Sequence, residues 1–459
     1  MSVEKDMKRK ANPVFQDAVK DAAAPGDSVK VITPKEQVEG ILMPSPHKDI
    51  VMIKLNTGYN LGFEKKDVKE IQLVEREVLK QKTSLLMSKD EKLPTIVVLH
   101  TGGTIASKVD YTTGAVTAKF TAEDLLEKFP KIGKITNVHT ELISNLMSED
   151  IRFSDYQTIA RAVKKYALEG VSGKKVKGII IGHGTDTLSY TAAALSFMFE
   201  RINLPVILVG SQRSPDRGST DAALNLTCAA KFIAETDFVG VAVCMHHSSN
   251  DDDCAILPAT KVRKMHTSRR DSFKAINSTA IALVKPVGIE YLWKDYPKGT
   301  TGKGLGSKEA VILRDKFEEK VGWLKVHPNM DPELFRFFTS HYRAIMIEGT
   351  GLGHAPTNLG EKNLQNYAYL QSFLAKGGIV AITSQCLFGR VHPSVYTNLR
   401  RLSEIGSIYC EDMLPETAYI KLSWLLGNYP PEESKKMMVQ NLRGEISEQS
   451  AYTDDFLKE

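Results

Sequence analysis

Cysteine is scarce in this sequence, and long apolar runs are missing. Five cysteines occur among 459 residues, and no two of them form a C-x-x-C pair. An odd number of scattered cysteines is atypical of a disulfide framework or a structural zinc site. No apolar stretch approaches the roughly 20 residues of a membrane-spanning helix, and the charged start of the chain lacks the apolar segment of a secretory signal. These absences predict a reduced, cytoplasmic protein without a membrane span.

Neither sign of charge dominates the chain. Lys and Arg total 60 against 55 for Asp and Glu, which leaves a formal net charge of +5. Such a small excess permits an acidic partner such as RNA but does not require one. With 42% hydrophobic and 25% charged residues the chain is an ordinary globular protein, and its length predicts two or three domains.

Several common catalytic motifs are also missing. The sequence contains no G-x-x-x-x-G-K-[ST] phosphate-binding loop, no H-E-x-x-H zinc motif and no G-x-S-x-G nucleophile elbow. His246 and His247 stand near three consecutive aspartates, residues 251–253, and have the side chains of a metal site. A run of this kind is more often a solvated loop, so we predict no metal centre.

The first part of the chain predicts a small domain that precedes the rest. Residues 1–24 are a polar extension, residues 25–75 hold five short β-branched runs separated by turns, and residues 76–93 are a charged linker. Five short strands in about fifty residues predict a small barrel of the SH3 type. Lysine and arginine barely outnumber the acids here, so two roles stay open for the barrel, direct RNA contact and docking or spacing.

From residue 94 onward the pattern alternates between strands and helices. This predicts an α/β fold with a parallel sheet covered by helices on both faces. A glycine-rich stretch, residues 301–322, separates two such segments. The predicted domains are therefore residues 94–300, which hold the active site, and residues 323–445, followed by a tail, residues 446–459.

Two turns of similar composition end two of the predicted strands. The strand Thr95–Leu99 leads into Thr101-Gly-Gly-Thr, and the strand Ile179–Ile181 leads into His183-Gly-Thr-Asp-Thr. In an open α/β sheet, ligands bind beyond the carboxyl ends of the strands, where such turns collect. The sequence therefore predicts one site assembled from both turns.

The chemistry available at these turns is that of threonine. A threonine hydroxyl is a weak nucleophile and needs a positioned base or proton relay. Asp186 directly follows Thr185 and adds a carboxylate, and a partly desolvated lysine can serve as base. Gly102 and Gly103 allow a substrate to approach the backbone closely. For either turn alone, simple capping of the next helix is an equal alternative, and spacing does not select the lysine.

Thr101-Gly-Gly-Thr-Ile-Ala and His183-Gly-Thr-Asp-Thr resemble the two signature motifs of the bacterial-type L-asparaginase/glutaminase family. The similarity runs from about residue 94 to residue 444. The resemblance implies a two-domain α/β fold in which Thr104 attacks the side-chain amide of the substrate. It also implies a second group that activates hydroxyls, formed by Thr185, Asp186 and Lys264. Lys264 is chosen over the nearby Lys261 because it stands nine residues before Phe273, as in the family.

The same resemblance implies roles for residues around the two turns. Tyr111 matches a flexible-loop tyrosine that helps to activate the nucleophile. Ser148 matches the residue that binds the α-carboxylate of the substrate, and Glu149 stands beside its α-amino group, where many relatives have glutamine. His354 replaces an asparagine of many relatives. The backbone N–H groups of the glycine turns, which include Gly103 and Gly184, are expected to bind the substrate and stabilise an oxyanion.

The resemblance is closer to one branch of the family, the D subunits of archaeal glutamyl-tRNA(Gln) amidotransferases. It is carried by the N-terminal barrel with Lys54-Leu-Asn-Thr-Gly-Tyr-Asn-Leu-Gly, by residues 262–271 and by Thr383-Ser-Gln-Cys. This branch hydrolyses glutamine or asparagine and holds no cofactor of its own. Its partner, the E subunit, binds Glu-tRNA(Gln) and uses ATP and Mg²⁺ to amidate it with the released ammonia. A homodimer of D subunits within a heterotetramer with two E subunits is implied. The alternative is a free-standing cytoplasmic L-asparaginase/glutaminase.

Overall fold

The computed structural model describes residues 23–45, 47–55, 57, 59–75, 90–102, 107–109, 116–118, 122–215, 218–299 and 311–450. Two units can be separated in it, a smaller one that contains residues 23–75 and a larger one that holds most of the chain after residue 90. No helix in these ranges is both long and apolar enough to span a bilayer.

The smaller unit is an antiparallel sheet. Its strands are β1 (Ser28–Ile32), β2 (Gln37–Met43), β3 (Ile50–Lys54), β4 (Asn60–Glu64) and β5 (Glu70–Glu75). They are ordered β4-β3-β2-β1-β5, so that β4 and β5 lie at the two edges among the described residues. Alternate side chains, such as Val29 and Val31 of β1, point into a small core with Ile53 and Phe63. The five predicted strands of this region are confirmed.

The first part of the larger unit alternates between strands and helices before it continues as strands alone. In chain order the elements from residue 94 onward are β6 (Thr95–His100), β7 (Ser107–Val109), β8 (Val116–Ala118), α1 (Ala122–Lys128), α2 (Pro130–Gly133), β9 (Asn137–Leu142), α3 (Phe153–Glu169), β10 (Gly178–Gly182), α4 (Leu188–Met198), β11 (Phe199–Arg201), β12 (Pro205–Val209), α5 (Ala222–Glu235), β13 (Gly240–His246), β14 (Cys254–Pro258), β15 (Val262–Lys264), β16 (Phe273–Ala275), β17 (Ala282–Lys285) and β18 (Gly288–Tyr291). Of these, β7 and residues 116–117 of β8 are grouped with the smaller unit.

Within the described residues, the main sheet has eight strands in the order β18-β17-β14-β13-β12-β10-β6-β9. The strands from β9 to β13 in this order are parallel. A parallel sheet was predicted, but β9 was not among the predicted strands. The other three strands, β14, β17 and β18, were not predicted. They form the antiparallel pairs β13–β14, β14–β17 and β17–β18, so the sheet is mixed rather than wholly parallel. No helix separates these later strands along the chain, and short connections join antiparallel strands more readily than parallel ones.

The order of the parallel strands locates a ligand site before any side chain is considered. The chain passes from β6 outward to β9 on one side and then to β10, β12 and β13 on the other. The direction of strand addition therefore reverses between β6 and β10. Open α/β sheets bind ligands at such a reversal, in the crevice beyond the carboxyl ends of the two strands.

Both faces of the main sheet are buried, which explains why its central strands are apolar throughout. Val97 and Ile179 point into a core with helices α3 and α4, and Val98 and Ile180 point into a second core with α5. A parallel strand covered on both faces shows a continuous apolar run instead of alternation. The run Ile179–Ile181 is recognisable as a strand for this reason.

The second part of the larger unit is a smaller α/β sheet. In chain order its elements are β19 (Ile312–Leu313), β20 (Val321–Lys325), α6 (Pro332–His341), β21 (Ala344–Gly349), α7 (Glu361–Ala375), β22 (Ile379–Ser384), α8 (Thr397–Glu404), β23 (Ile408–Tyr409), α9 (Pro415–Asn428) and α10 (Pro431–Met438). Strands β20, β21, β22 and β23 form a parallel sheet in chain order. The predicted α/β architecture with a preceding β domain is confirmed, and its helices and strands form two α/β sheets.

A buried ion pair connects the segment that follows α10 to helix α9. Lys421 of α9 and Glu445 are both fully buried, and their charged atoms lie 2.5 Å apart. The Lys421 ammonium also donates to the carbonyl oxygens of Met438 and Gln440, and the Glu445 carboxylate accepts the backbone N–H of Arg443. The stretch Gln440-Asn-Leu-Arg-Gly-Glu therefore surrounds one buried charge pair.

Candidate active site

The turns that follow β6 and β10 are joined by hydrogen bonds. Thr101 is buried directly after β6, and its backbone N–H and its hydroxyl donate to the carbonyl oxygen of Gly182, at 3.1 and 3.0 Å. Because β6 and β10 are parallel neighbours, both turns open at the same edge of the sheet. The structure therefore brings the two predicted turns together at the reversal point of the sheet.

Gly102 allows another segment to approach the first turn closely. A β-carbon at this position would lie 2.4 Å from the carbonyl oxygen of Leu146, and the φ angle of Gly102 is +111°. A residue with a side chain would meet both a steric clash and an unfavourable backbone conformation. Leu146 in turn donates its N–H to the carbonyl of Thr101 at 3.1 Å. This contact brings the segment that leads to Ser148 against the site.

Ser148 lies against the second turn. It begins a short 3-10 helix, Ser148–Asp150, and is buried. A β-carbon added to Gly184 would lie 2.8 Å from the β-carbon of Ser148, so only glycine leaves room for the serine. The hydroxyl of Thr187 donates to the carbonyl oxygen of Ser148 at 2.6 Å. The predicted carboxylate-binding serine therefore contacts the turn that carries Thr185.

His183 anchors the second turn from inside. Its ring is fully buried, with Nδ1 2.6 Å from the carbonyl oxygen of Gly184 and Nε2 2.8 Å from the hydroxyl of Thr191. A neutral ring satisfies both contacts, because Nδ1–H donates to the carbonyl and Nε2 accepts from the hydroxyl. Burial lowers the pKa of His183 to about 4. The ring is therefore neutral at physiological pH and holds the backbone of the turn.

Protonation of His183 is predicted to destabilise the protein in mild acid. The pKa of an unfolded histidine is about 6.5, above the folded value of about 4. The stability contributed by the neutral ring is therefore complete above pH 6.5 and is lost as the pH falls from 6.5 toward 4. At pH 4.5 the loss is about 2–3 kcal/mol.

Urea unfolding at pH 7 and pH 4.5 checks this prediction. His183→Gln should lose less stability between the two pH values than the parent protein does. The matched control is His327→Gln, which changes an exposed histidine and should leave the acid-induced loss unaltered. An equal loss in the parent and in His183→Gln would contradict the prediction.

A lysine meets a threonine and an aspartate at the mouth of the site. The Lys264 ammonium lies 2.9 Å from the Thr185 hydroxyl and 2.7 Å from a carboxylate oxygen of Asp186. The lysine side chain is only 13% exposed, whereas that of Asp186 is 67% exposed. Thr185 and Lys264 are 79 positions apart in the sequence. Lys264 is the last residue of β15, where it pairs with Phe273 of β16.

This arrangement is suited to moving a proton to and from a hydroxyl. The Lys264 ammonium donates a hydrogen bond to the Thr185 oxygen. When the amine is neutral, the hydroxyl donates to the amine nitrogen instead, and the nitrogen can then accept the hydroxyl proton. Asp186 holds the amine by a charge-assisted hydrogen bond. The three residues therefore have the geometry of a base, a hydroxyl and an orienting carboxylate.

The nearby Lys261 has a different environment. Its ammonium is buried and lies 2.7 Å from the carboxylate of Asp412, which is equally buried. Burial lowers the pKa of Lys261, and the hydrogen bond to Asp412 opposes that shift. The two lysines are three residues apart, but it is Lys264 that contacts Thr185.

Three of the predicted site residues lie outside the residues that the structure describes. They are Gly103, Thr104 and Tyr111. The roles assigned to them, including that of Thr104 as nucleophile, stay predictions from the sequence.

Glu149 and His354 are described. Glu149 is exposed beside Ser148. His354 follows β21, exchanges backbone hydrogen bonds with Thr350, and has its ring centre 5.2 Å from that of Tyr396. It therefore lies in the turn after β21, at the end of a strand of the second, smaller sheet.

The turn after β12 belongs to the site, although it carries none of the predicted site residues. A β-carbon at Gly210 would lie 2.8 Å from the methyl group of Thr185, so the two turns touch. The amide of Asn225 donates to the carbonyl oxygen of Gly210 at 3.1 Å. Asp221 is fully buried and accepts hydrogen bonds from the same turn. The signal in the sequence that could have identified this turn is Gly210, a glycine directly after the apolar strand β12.

The histidine and aspartate run near residue 250 is held by its own hydrogen bonds. His246 is buried, with Nδ1 2.6 Å from the side-chain oxygen of Asn225 and Nε2 3.2 Å from Asp251. His247 lies 3.2 Å from Asp253. Among the residues that the structure describes, no group of three or more His, Cys, Asp or Glu side chains is arranged to hold a metal ion.

Three family models match the chain in succession. Residues 23–74 match the GatD N-terminal domain, residues 95–297 match the N-terminal domain of asparaginases, and residues 320–438 match the glutaminase/asparaginase C-terminal domain. Together they cover both α/β sheets and the β domain that precedes them.

Curated relatives match along almost the whole chain. The D subunit of the glutamyl-tRNA(Gln) amidotransferase of Thermococcus kodakarensis is 43% identical over 465 residues, which covers 98% of this chain and all of that protein. The D subunit from Pyrococcus furiosus is 44% identical and covers 92% of this chain and 94% of its own length.

Solved structures match about three quarters of the chain. The thermostable L-asparaginase from Thermococcus kodakarensis is 31% identical, with a TM-score of 0.66, and aligns over 77% of this chain and 100% of its own. L-asparaginase I from Vibrio cholerae is 27% identical, with a TM-score of 0.65, over 77% of this chain and 99% of its own.

Proposed function

The chain belongs to the family of D subunits of glutamyl-tRNA(Gln) amidotransferases, within the asparaginase family, and we propose that it hydrolyses glutamine, or asparagine, to supply ammonia to a partner protein. The relatives that match along its whole length support this function. The proposal depends on one observation above all, the contact of the Lys264 ammonium with Thr185 and Asp186 at the reversal point of the sheet.

The proposed reaction has two steps. The hydroxyl of Thr104 attacks the side-chain amide carbon of the substrate, with Tyr111 assisting its activation, and the C–N bond breaks to release ammonia. Water then cleaves the acyl-enzyme and regenerates the threonine. Thr185, Asp186 and Lys264 transfer the protons in both steps. Backbone N–H groups of the glycine turns, at Gly103 and Gly184, stabilise the oxyanion.

Two residues beside the turns are proposed to hold the amino acid part of the substrate. Ser148 binds the α-carboxylate, which is supported by its close packing against Gly184. Glu149 binds the α-amino group, since a carboxylate forms a strong charge-assisted hydrogen bond with an ammonium. Both glutamine and asparagine carry these two groups, so this recognition does not separate the two amides.

The remaining parts of the proposal concern the complex and the domains. The chain forms a homodimer within a heterotetramer of two D and two E subunits. The E subunit binds Glu-tRNA(Gln) and uses ATP and Mg²⁺, while this chain needs no cofactor. The free cysteine thiols suit the reducing cytoplasm. The active site lies in the domain of residues 94–300, residues 323–445 form the second α/β domain, and residues 25–75 form a domain for docking or for RNA contact.

The alternative function is that of a free-standing L-asparaginase. The solved asparaginases favour it only for part of the protein, because they align over 77% of this chain. The match of residues 23–74 to the GatD N-terminal domain and the full-length match to a D subunit favour the amidotransferase instead.

The two functions differ in how the activity depends on a partner. We expect the chain to hydrolyse glutamine slowly alone and faster when the E subunit and Glu-tRNA(Gln) are added. The measurement is glutamate release with and without these two components, with uncharged tRNA as the control. A full rate by the chain alone, unaffected by the additions, would identify a free-standing enzyme.

A further inference from the structure

The distance between the Thr185 hydroxyl and the Lys264 amine depends on how two separate segments of the chain lie relative to each other. Thr185 lies in the turn after β10, and Lys264 ends β15 in the β15–β16 hairpin. The exposed carboxylate of Asp186 is the lysine's other contact, and an ion pair with a solvent-exposed carboxylate restrains an amine weakly. Another restraint on the hairpin is therefore needed to keep the amine within hydrogen-bond reach of the hydroxyl.

The hairpin closes directly after Lys264. Lys264 pairs with Phe273 across the two strands, and the next residue, Met265, donates its N–H to the carbonyl oxygen of Ser272 at 2.6 Å. Phe273 and Ser272 are both buried. Ser272 is thus a fixed point of the hairpin beside the lysine.

Gln212 connects this fixed point to the turn after β12. Its side-chain amide donates to the hydroxyl of Ser272 at 2.6 Å. The backbone of Gln212 is held in turn, because its N–H donates to the buried carboxylate of Asp221 at 3.0 Å. The neighbouring residues Ser211 and Arg213 donate to the same carboxylate. One buried acid therefore orders the whole turn.

The other end of this turn contacts Thr185. Gly210 lies so close to the threonine methyl group that a β-carbon would come within 2.8 Å of it. The turn of residues 210–213 therefore touches the threonine at one end and the lysine-bearing hairpin at the other.

We propose that Gln212 is a positioning residue, which holds the Lys264 amine at hydrogen-bond distance from the Thr185 hydroxyl through Ser272. This role depends on the proposed function, since it concerns the same reaction. A displacement of about 1 Å in a reacting group can lower a rate about 100-fold. Loss of this link is expected to affect the chemical step and to leave substrate binding intact, because Gln212 lies on the lysine side of the site.

Steady-state glutamine hydrolysis by the full chain in complex with the E subunit tests the proposal. Gln212→Ala is expected to lower kcat about 10- to 100-fold with KM within about twofold of the parent. Ser272→Ala should have the same effect, and the double variant should be no slower than either single variant, because both break one link. The matched control is Gln157→Ala, which removes a glutamine hydrogen bond to the backbone of Asp315 elsewhere and should leave kcat unchanged.

Each outcome is informative. A kcat within about twofold of the parent for Gln212→Ala, or losses that multiply in the double variant, would overturn the positioning role. A lowered urea midpoint accompanied by a raised KM would identify a merely structural role and overturn it as well. An inactive parent complex would instead refute the proposed function itself.

Discussion

Thr185→Val is expected to abolish glutamine-dependent amidation of Glu-tRNA(Gln), while free ammonium still supports the reaction. Valine keeps the shape of threonine and therefore its packing against Gly210, but it removes the hydroxyl that Lys264 contacts at 2.9 Å. Removing one member of a hydroxyl-activating group typically costs about 10³-fold or more in kcat. Ammonium bypasses the hydrolysis step, so the partner's reaction continues. The measurement is Gln-tRNA(Gln) formation with each nitrogen donor.

Two lysine variants sharpen this experiment. Lys264→Met should behave as Thr185→Val does, because it removes the amine of the same pair. Lys274→Met is the matched control, since this half-exposed lysine lies on the neighbouring strand and bonds the backbone of His247 instead. Loss of the ammonium-dependent reaction as well would show that the variants disrupt the complex, and full glutamine-dependent activity would remove this group from the mechanism.

Lys421→Met is expected to lower the free energy of unfolding by about 3–5 kcal/mol. The lysine and Glu445 are both fully buried, so the variant leaves a carboxylate without its counter-charge in the interior. It also removes the donor that satisfies the carbonyl oxygens of Met438 and Gln440. Urea unfolding monitored by tryptophan fluorescence measures the loss.

An exposed pair provides the control for this prediction. Lys435 and Glu432 are also joined, at 2.7 Å, but the glutamate is 79% exposed. Lys435→Met should change stability by about 0.5 kcal/mol or less. Replacing both Lys421 and Glu445 by apolar residues should cost less than replacing Lys421 alone, because no charge is then left buried. Equal losses for the two lysine variants would contradict the argument.

The hairpin that carries Lys264 is anchored to the second part of the larger unit. Lys261, at its base, forms the buried pair with Asp412. Arg263, which precedes Lys264, pairs with Glu416 at the start of α9 at 3.2 Å. These two pairs tie the first strand of the hairpin to the second part of the larger unit, whereas the Gln212–Ser272 hydrogen bond ties the hairpin to the turn beside Thr185. The second α/β part of the chain thus supports the site without supplying the contacts to Thr185.

Local patterns in the sequence were sufficient to identify most elements near the site. The central strands were recognised because strands covered on both faces are apolar throughout, as in Ile179–Ile181. The two turns were recognised because glycine and hydroxyl residues follow such strands directly. The antiparallel strands β14, β17 and β18 were missed, because their short apolar runs are not flanked by helices and resemble loops between elements.

The sequence by itself determined the chemical character of the site, namely hydroxyls, a carboxylate and a lysine, and its place at strand ends. It determined which lysine to choose only through resemblance to a family, because Lys261 and Lys264 have similar local surroundings. Tertiary structure gives the two lysines different contacts, because Lys261 is buried against Asp412 whereas Lys264 contacts Thr185. The link from Gln212 to Ser272 likewise joins residues 60 positions apart. Contacts of this range depend on how strands and hairpins pack, and neither periodicity nor motif spacing encodes that packing.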